Sequence, residues 1–250
     1  MAQHNFGVLF VIGRPPKRDI YTKRALAQES YRHHDILLGA FTDSYANLTT
    51  KALTWLSWVS ENCKRRDGPK HVIKVDDDIL LNTDHFFRLL TKWKSKNLLS
   101  WNRLVCSWAV HWRVPRPTSS KYEKWMISKE EYSKDVWPPF CFGALYVLPI
   151  RLVDSLLMAA QITNRVKLDD VFVTGILVEA MNQRQVDTRV DALDITSRID
   201  YFDRTFVDAK QLRLVSSEEL FANGQLLALI LRNQATVGRL MPAWKRLGYH

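Results

Sequence analysis

Apolar and polar positions come in blocks along this 250-residue chain, and the blocks predict alternating strands and helices. The run FGVLFVIG (6–13) is continuously apolar and closes on glycine and proline, the pattern of a buried strand. Residues 17–32 are basic and polar with good helix formers, and DILLGAF (35–41) is a second buried strand. In the stretch that follows, apolar residues at 48, 52, 53, 55, 56 and 59 fall close to helical spacing, with Asn47 placed as the cap. HVIKVD (71–76) is a third strand. Asn82 then stands where it would cap a helix whose apolar face is Phe86, Phe87, Leu89, Leu90 and Trp93. This alternation predicts an α/β fold with a largely parallel sheet covered on both faces.

The second half is less regular. LVCSWAV (104–110) and CFGALYVLP (141–149) read as strands on either side of a loop, 113–139, rich in Pro, Lys and aromatic residues. Pro149 suits the first turn of a helix over 150–162. VFVTGILVEAM (171–181) is apolar nearly all round and reads as a buried helix with Asp169 and Asp170 at its amino end. Further on, an amphipathic stretch at 216–234 opens with a Ser-Ser-Glu-Glu run like a capping box. No repeat, low-complexity tract or linker interrupts the pattern, so 1–250 reads as a single domain.

Composition adds bounds. A 46% hydrophobic content supports an ordinary globular core, and a formal charge of +10 favours anionic partners. The basic residues are spread over local groups such as CKRRDGPK and KWKSK, which reads as a solvated surface and not as a nucleic-acid-binding stripe. Three cysteines, Cys63, Cys106 and Cys141, lack the paired short spacings of a zinc site and leave open one disulfide with one free thiol. No run reaches the roughly 18 apolar residues of a membrane helix, and the first residues lack a basic leader. The expectation is a soluble chain.

Candidate chemistry gathers at two acidic segments. VDDD falls at the carboxyl end of the third strand, where open α/β sheets collect ligands. Strand alternation would set Asp76 and Asp78 on one side and Asp77 on the other. Two same-side carboxylates offer oxygen ligands to a hard divalent cation, which can bridge to a diphosphate. The plain alternative is a solvated acidic turn, but carboxylates packed this closely repel one another and call for a cation or a basic partner. A calcium loop is excluded because the run continues Ile79-Leu80-Leu81 without the glycine such a loop needs. An Asp-nucleophile phosphohydrolase also begins with a strand and Asp-x-Asp, although it normally has Thr or Val where Leu80 stands.

The second segment is KLDDVFVTG (167–175). By itself, an Asp pair opening a helix is only a favourable charge at the helix amino terminus. Brought beside Asp78, Asp170 would become a general base working next to a cation. The aromatics of WPPFCFGALY (137–146) either line a sugar-sized pocket or pack in the core.

Four segments, in order over residues 29–178, resemble the signature of glycosyltransferase family 31, the β-1,3-galactosyl- and N-acetylglucosaminyltransferases. HDILLGAFTDSYANLTTKALTWLSWVSENC is similar to the family's Asp-Ile, Asp-x-Tyr-x-Asn-Leu-Thr-x-Lys and Trp-containing helix that ends in Cys. KVDDDILLN resembles its Lys-x-Asp-Asp-Asp-x-x-x-Asn segment, WPPFCFGALYVL its Tyr-Pro-x-Tyr-x-x-Gly-x-x-Tyr-Val segment, and LDDVFVTG its Glu-Asp-Val-x-x-Gly segment.

The resemblance implies a GT-A-like fold, a mixed, mostly parallel sheet flanked by helices. It also implies a Golgi enzyme of the lumenal side, anchored by a membrane segment absent from this chain. Such an enzyme transfers galactose or N-acetylglucosamine from a UDP-sugar, with inversion and in a β-1,3 linkage, to a glycan acceptor on a glycoprotein or glycolipid. Carried over residue by residue, Asp76, Asp77 and Asp78 would hold Mn²⁺ and the UDP diphosphate, with Asp76 and Asp78 as metal ligands and Asp78 foremost. Asp43 and Lys51 match the motif that precedes this site and fall on the donor side. Asp170 would deprotonate the acceptor hydroxyl. The chain begins almost at the family's second strand, so the first strand–helix unit is expected to be missing. That expectation motivates a second reading, a catalytically inactive glycosyltransferase-like binding module. The phosphohydrolase is a third.

Overall fold

The computed structural model describes residues 6–77, 79–81, 83–95, 104–106, 109–110, 112–117, 123–184, 200–201, 206–208 and 228–230. The first half runs β1 (Phe10–Arg14), α1 (Ile20–His33), β2 (Ile36–Thr42), α2 (Leu48–Asn62), β3 (His71–Val75), β4 (Ile79–Leu81) and α3 (Thr83–Ser95). Next come β5 (Val105–Cys106), β6 (Ala109–Val110), β7 (Phe140–Cys141), β8 (Leu145–Pro149) and α4 (Val153–Gln161). A continuous helix then passes from α5 (Asp169–Val171) through a wide π turn, Phe172–Ile176, into α6 (Leu177–Arg184). Three short strands complete the described set: β9 (Asp200–Tyr201), β10 (Phe206–Asp208) and β11 (Ala228–Ile230).

The sheets are mixed. β1 and β2 pair in parallel, with Phe10 opposite Ile36, as the strand–helix–strand pattern predicts. β3 instead lies antiparallel to β8, and β8 is antiparallel to β5, which is parallel to β9. The order β3-β8-β5-β9 makes the central sheet. β8 sits between two partners because its sequence, LYVLP, is apolar at successive positions and all five residues are buried. Alternation then gives each face its own core. Leu145 and Val147 pack with Phe86 of α3 and Val105 on one side. Tyr146 and Leu148 join α2, α4 and the helix from Asp169 on the other. Helices therefore cover both faces, as expected. Leu148 is fully buried, so Leu148→Ala would cost about 2–5 kcal/mol.

Two helices show how local sequence sets the elements. Asp19 caps α1, accepting from the Thr22 N–H at 2.9 Å, and the helix ends at His34 in the left-handed conformation (φ 55°). α2 buries Thr49, Ala52, Trp55, Leu56 and Val59, the stripe its spacing predicts. Asn47 does stand at its N-cap position, but the side chain caps nothing there; its amide donates to the Thr42 carbonyl at 2.9 Å.

Other expectations shift by a few residues. The first strand starts at Phe10 because its ladder with β2 starts there. Ile150–Leu152 is a 3₁₀ turn, and the helix proper follows at Val153. Within the stretch 216–234, residues 228–230 are a strand between β10 and β4, in register with Leu81, Leu80 and Ile79. The rest of that stretch, with Asp78 and Asn82, lies outside the described residues. The cysteine question resolves into a Cys106–Cys141 disulfide between β5 and β7, with Cys63 free. No helix among the described residues is long and apolar enough to cross a membrane.

Candidate active site

The site forms where β3 ends against β8. In the ladder Lys74 stands opposite Tyr146, so both project to the face that carries α2 and the helix from Asp169. The Lys74 ammonium lies 5.8 Å from the centre of the Tyr146 ring. It donates to the Gly143 carbonyl at 2.5 Å and makes a short ion pair with Asp76 Oδ1. Burial would lower the lysine's pKa, but Asp169, Asp76 and Asp170 outweigh it, and the net movement is upward. The ammonium is the basic partner that the acidic run called for.

The aspartate run itself is a turn. The Asp76 N–H donates to the Ala144 carbonyl at 3.0 Å, extending the ladder by one residue, and the Ile79 N–H then closes back on the Asp76 carbonyl at 3.2 Å. The Asp76 side chain is 43% exposed, and Asp77 is exposed. Among the described residues, no group of three His, Cys, Asp or Glu side chains is placed to hold a metal ion.

Asp170 lies in the first turn of its helix, as the sequence suggests. Its Oδ2 accepts the Gly143 N–H at 3.0 Å and its Oδ1 the Val171 N–H at 2.8 Å. Burial and the neighbouring Asp169 charge push its pKa from 3.8 up to about 6, while the Val171 N–H, Lys74 and the Gly143 N–H pull the other way. Burial wins. Thr174 fixes the backbone beneath: its hydroxyl donates to the Asp170 carbonyl at 2.6 Å and accepts the Cys141 N–H at 2.9 Å. Gly175 in the π turn lets β7 approach, since a Cβ there would lie 2.9 Å from Phe140 Cβ. From the other side, the buried Thr49 hydroxyl of α2 donates to the Val166 carbonyl at 2.6 Å, three residues before Asp169.

Asp43 and Lys51 form a pair of their own at the end of β2. Asp43 Oδ2 accepts the Gly13 N–H at 2.8 Å and the Lys51 ammonium at 2.9 Å. Burial raises the Asp43 carboxyl, but the hydrogen bonds from Lys51 and Gly13 prevail and hold it below the ordinary carboxylate range. The pair ties β1, β2 and α2 together. Two residues on, Tyr45 reaches the carboxylates: burial first, then the charges of Asp170, Asp169 and Asp76, push its hydroxyl up to about 12, against a hydrogen bond with Trp125.

Trp125 and Lys124 come from the segment expected to be plain loop. Lys124 Nζ lies 4.6 Å from the centre of the Trp125 ring and 5.4 Å from that of Tyr45. Arg116 organises this loop, donating to the carbonyls of Ile127, Ser128 and Tyr132 at 3.1, 2.9 and 2.9 Å and to that of Lys134. Of the aromatics of 137–146, Trp137, Phe140 and Tyr146 are buried in the core, whereas Phe142, next to Gly143, is only partly buried. Further exposed aromatic surface comes from Tyr45 and Trp125, each 38% exposed.

The structure thus brings Asp76, Asp169 and Asp170 together around Lys74, with Tyr45 adjoining. Lys74, Gly143 and Tyr45 stand at fixed positions of the motifs the sequence resembles but were given no role from sequence, and Trp125 lies in none of them. A lysine inside the apolar run HVIKV was a further readable signal. Chemically, a partly buried carboxylate with its pKa raised to about 6 beside a polar cluster suits general-base catalysis.

Comparison with known proteins bears on this arrangement. The galactosyltransferase family model matches residues 2–189. Beta-1,3-galactosyltransferase 5 of Pan paniscus is 34% identical over 158 residues, which cover 63% of this chain and 48% of that protein. Beta-1,3-galactosyltransferase 4 of Mus musculus is 30% identical over 188 residues, covering 66% and 48%. Beta-1,3-galactosyltransferase 2 of Homo sapiens is 29% identical over 165 residues, covering 66% and 37%. The chain spans about half the length, or less, of these relatives. A solved glycosyltransferase involved in glycosylation of the major capsid of PBCV-1 matches 94% of this chain and 98% of its own at 9% identity and a TM-score of 0.34, a likeness too weak to add to the assignment.

Proposed function

We propose, for a chain that belongs to the galactosyltransferase family, an inverting transfer of galactose or N-acetylglucosamine from a UDP-sugar to a glycan hydroxyl in a β-1,3 linkage. The observation that carries this reading is Asp170, a partly buried carboxylate at a helix start, bound by two N–H groups and raised to about 6. Each of its oxygens accepts one hydrogen bond from the backbone and keeps a second lone pair for an acceptor proton. The acceptor hydroxyl gives its proton to Asp170 as its oxygen attacks the anomeric carbon. The new C–O bond forms on the face opposite the breaking bond to UDP, and the configuration inverts. At neutral pH the carboxylate is mostly ionised and ready.

The donor falls to the end of β3, with Asp76 and Asp77 in its turn and the Asp43–Lys51 pair at the end of β2. Mn²⁺ stays within the proposal on the strength of the Asp76–Asp78 run, with Asp78 as its foremost ligand. When bound it would neutralise the departing diphosphate. An acceptor on glycoproteins or glycolipids and a place at the lumenal side of the Golgi membrane belong to the same reading.

The test is incubation with UDP-galactose or UDP-N-acetylglucosamine, Mn²⁺ and a glycan acceptor, with the product linkage read by NMR. A β-1,3 product that Asp170→Asn abolishes and Asp78→Asn abolishes supports the assignment. Donor binding without product would mark an inactive binding module. Release of inorganic phosphate from a phosphomonoester would mark the phosphohydrolase.

A further inference from the structure

We infer that Lys74 is a positioning residue for the base, holding Gly143 by its carbonyl so that the N–H of the same residue stays fixed against Asp170. The inference rests on the reading of Asp170 as the general base. Gly143 is gripped at both ends: its carbonyl accepts from Lys74 Nζ at 2.5 Å, and its N–H donates to Asp170 Oδ2 at 3.0 Å. Its Cα presses on the carboxylate so closely that an added Cβ would lie 3.1 Å from both Cβ and Oδ2 of Asp170. Movement of this one residue moves the base.

The strand register explains why Lys74 can do this. Opposite Tyr146 in the β3–β8 ladder, it projects under the turn that carries Gly143, and its other contact, Asp76, extends that ladder. A buried lysine costs several kcal/mol unless paired, and packing alone would be served as well by an apolar residue in the middle of HVIKV. The charged group is justified where carboxylates converge. Asp170 is faced by Asp169 from its own turn, Lys74 from β3, Tyr146 from β8 and Tyr45 from the turn before α2, with Asp76 beyond Lys74. Of these groups Lys74 is the cation.

The experiment compares pH–rate profiles of transfer for the wild type and Lys74→Met, with thermal midpoints measured alongside. Removing the ammonium takes away a nearby positive charge and frees the Gly143 N–H; both losses raise the proton affinity of Asp170. The acid limb should therefore move up by about one pH unit, and transfer should fall about fivefold at pH 6 and about tenfold below pH 5. A variant whose rate falls equally at every pH, with the limb in place, has lost only folded protein and overturns the inference. Should Lys74→Met not fold, Gly143→Ala disturbs the same contact from the other end and is expected to move the limb the same way; an unmoved limb again overturns it. A wild type that transfers no sugar sinks the underlying reading and this inference together, whereas an active wild type with unmoved limbs in the variants sinks the inference alone.

Discussion

The backbone N–H of Gly143 points at Asp170 Oδ2 across 3.0 Å, and a Cβ added to Gly143 would lie 3.1 Å from that same oxygen, tighter than ordinary contact. A methyl group there would push Asp170 or the turn by a few tenths of an ångström. Displacing a base by a fraction of an ångström spoils its line to the acceptor proton. Gly143→Ala is therefore expected to lower kcat by about tenfold to a hundredfold. Steady-state kinetics with a melting curve checks this; unchanged kcat would mean that the carboxylate tolerates movement or is not the base.

Asp170 also links pH to stability, and the sign is opposite to that of a salt-bridged carboxylate. Its pKa rises on folding from 3.8 to about 6, so between those values the folded state binds more protons than the unfolded one. Stability contributed by the protonated group is present below about 4 and is lost as pH rises through 6. At neutral pH the partly buried charge costs about 3 kcal/mol, from a rise of about two pH units at about 1.4 kcal/mol each. Relative to Asp170→Asn, the wild type should lose stability by up to that amount between pH 4 and 7. Urea unfolding of both proteins across this range measures it, and a flat difference would refute the raised proton affinity.

Much of this was legible before any coordinates. The strand at β3, the acidic end of the helix at Asp170 and the double-sided burial of β8 follow from apolar runs and their period, which act over a few residues. Which partner β3 would take did not follow, because antiparallel pairing with β8 is decided by a strand some 70 residues on. The chain turns where Ile79 bonds back to the Asp76 carbonyl, and Asp78, which alternation sets on the side of Asp76, lies outside the described residues. The aromatic assignment moved. Trp137 and Phe140 sit next to the site in sequence but fill the core, and Trp125 meets Tyr45 from a loop whose carbonyls Arg116 gathers, a long-range arrangement no local pattern carries.

The Cys106–Cys141 bridge closes a loop with a sequence separation of 35 that includes the whole Trp125 segment. By the loop-entropy relation, its removal should cost about 3–4 kcal/mol. The cost should also reach function, since Cys141 donates its N–H to Thr174, the residue that holds the Asp170 carbonyl. Cys106→Ser with Cys141→Ser is expected to melt at lower temperature and to lose activity below that temperature as well. Melting in the presence and absence of reductant checks the first part, and assays well under the midpoint check the second. Full activity in the folded variant would show that β7 keeps its place without the bridge.

Tyr45 and Trp125 offer exposed aromatic surface beside the base, and the apolar face of a pyranose ring stacks well on such rings. If the acceptor sugar rests there, Trp125→Ala removes binding that is the same in the ground and transition states. The acceptor KM should then rise about tenfold with kcat little changed, and Trp125→Phe should recover part of the loss. The slow hydrolysis of the UDP-sugar by water, which needs no acceptor, should persist in both variants. Measuring acceptor KM and donor hydrolysis side by side separates the possibilities: loss of both places Trp125 at the donor, and loss of neither removes it from the site.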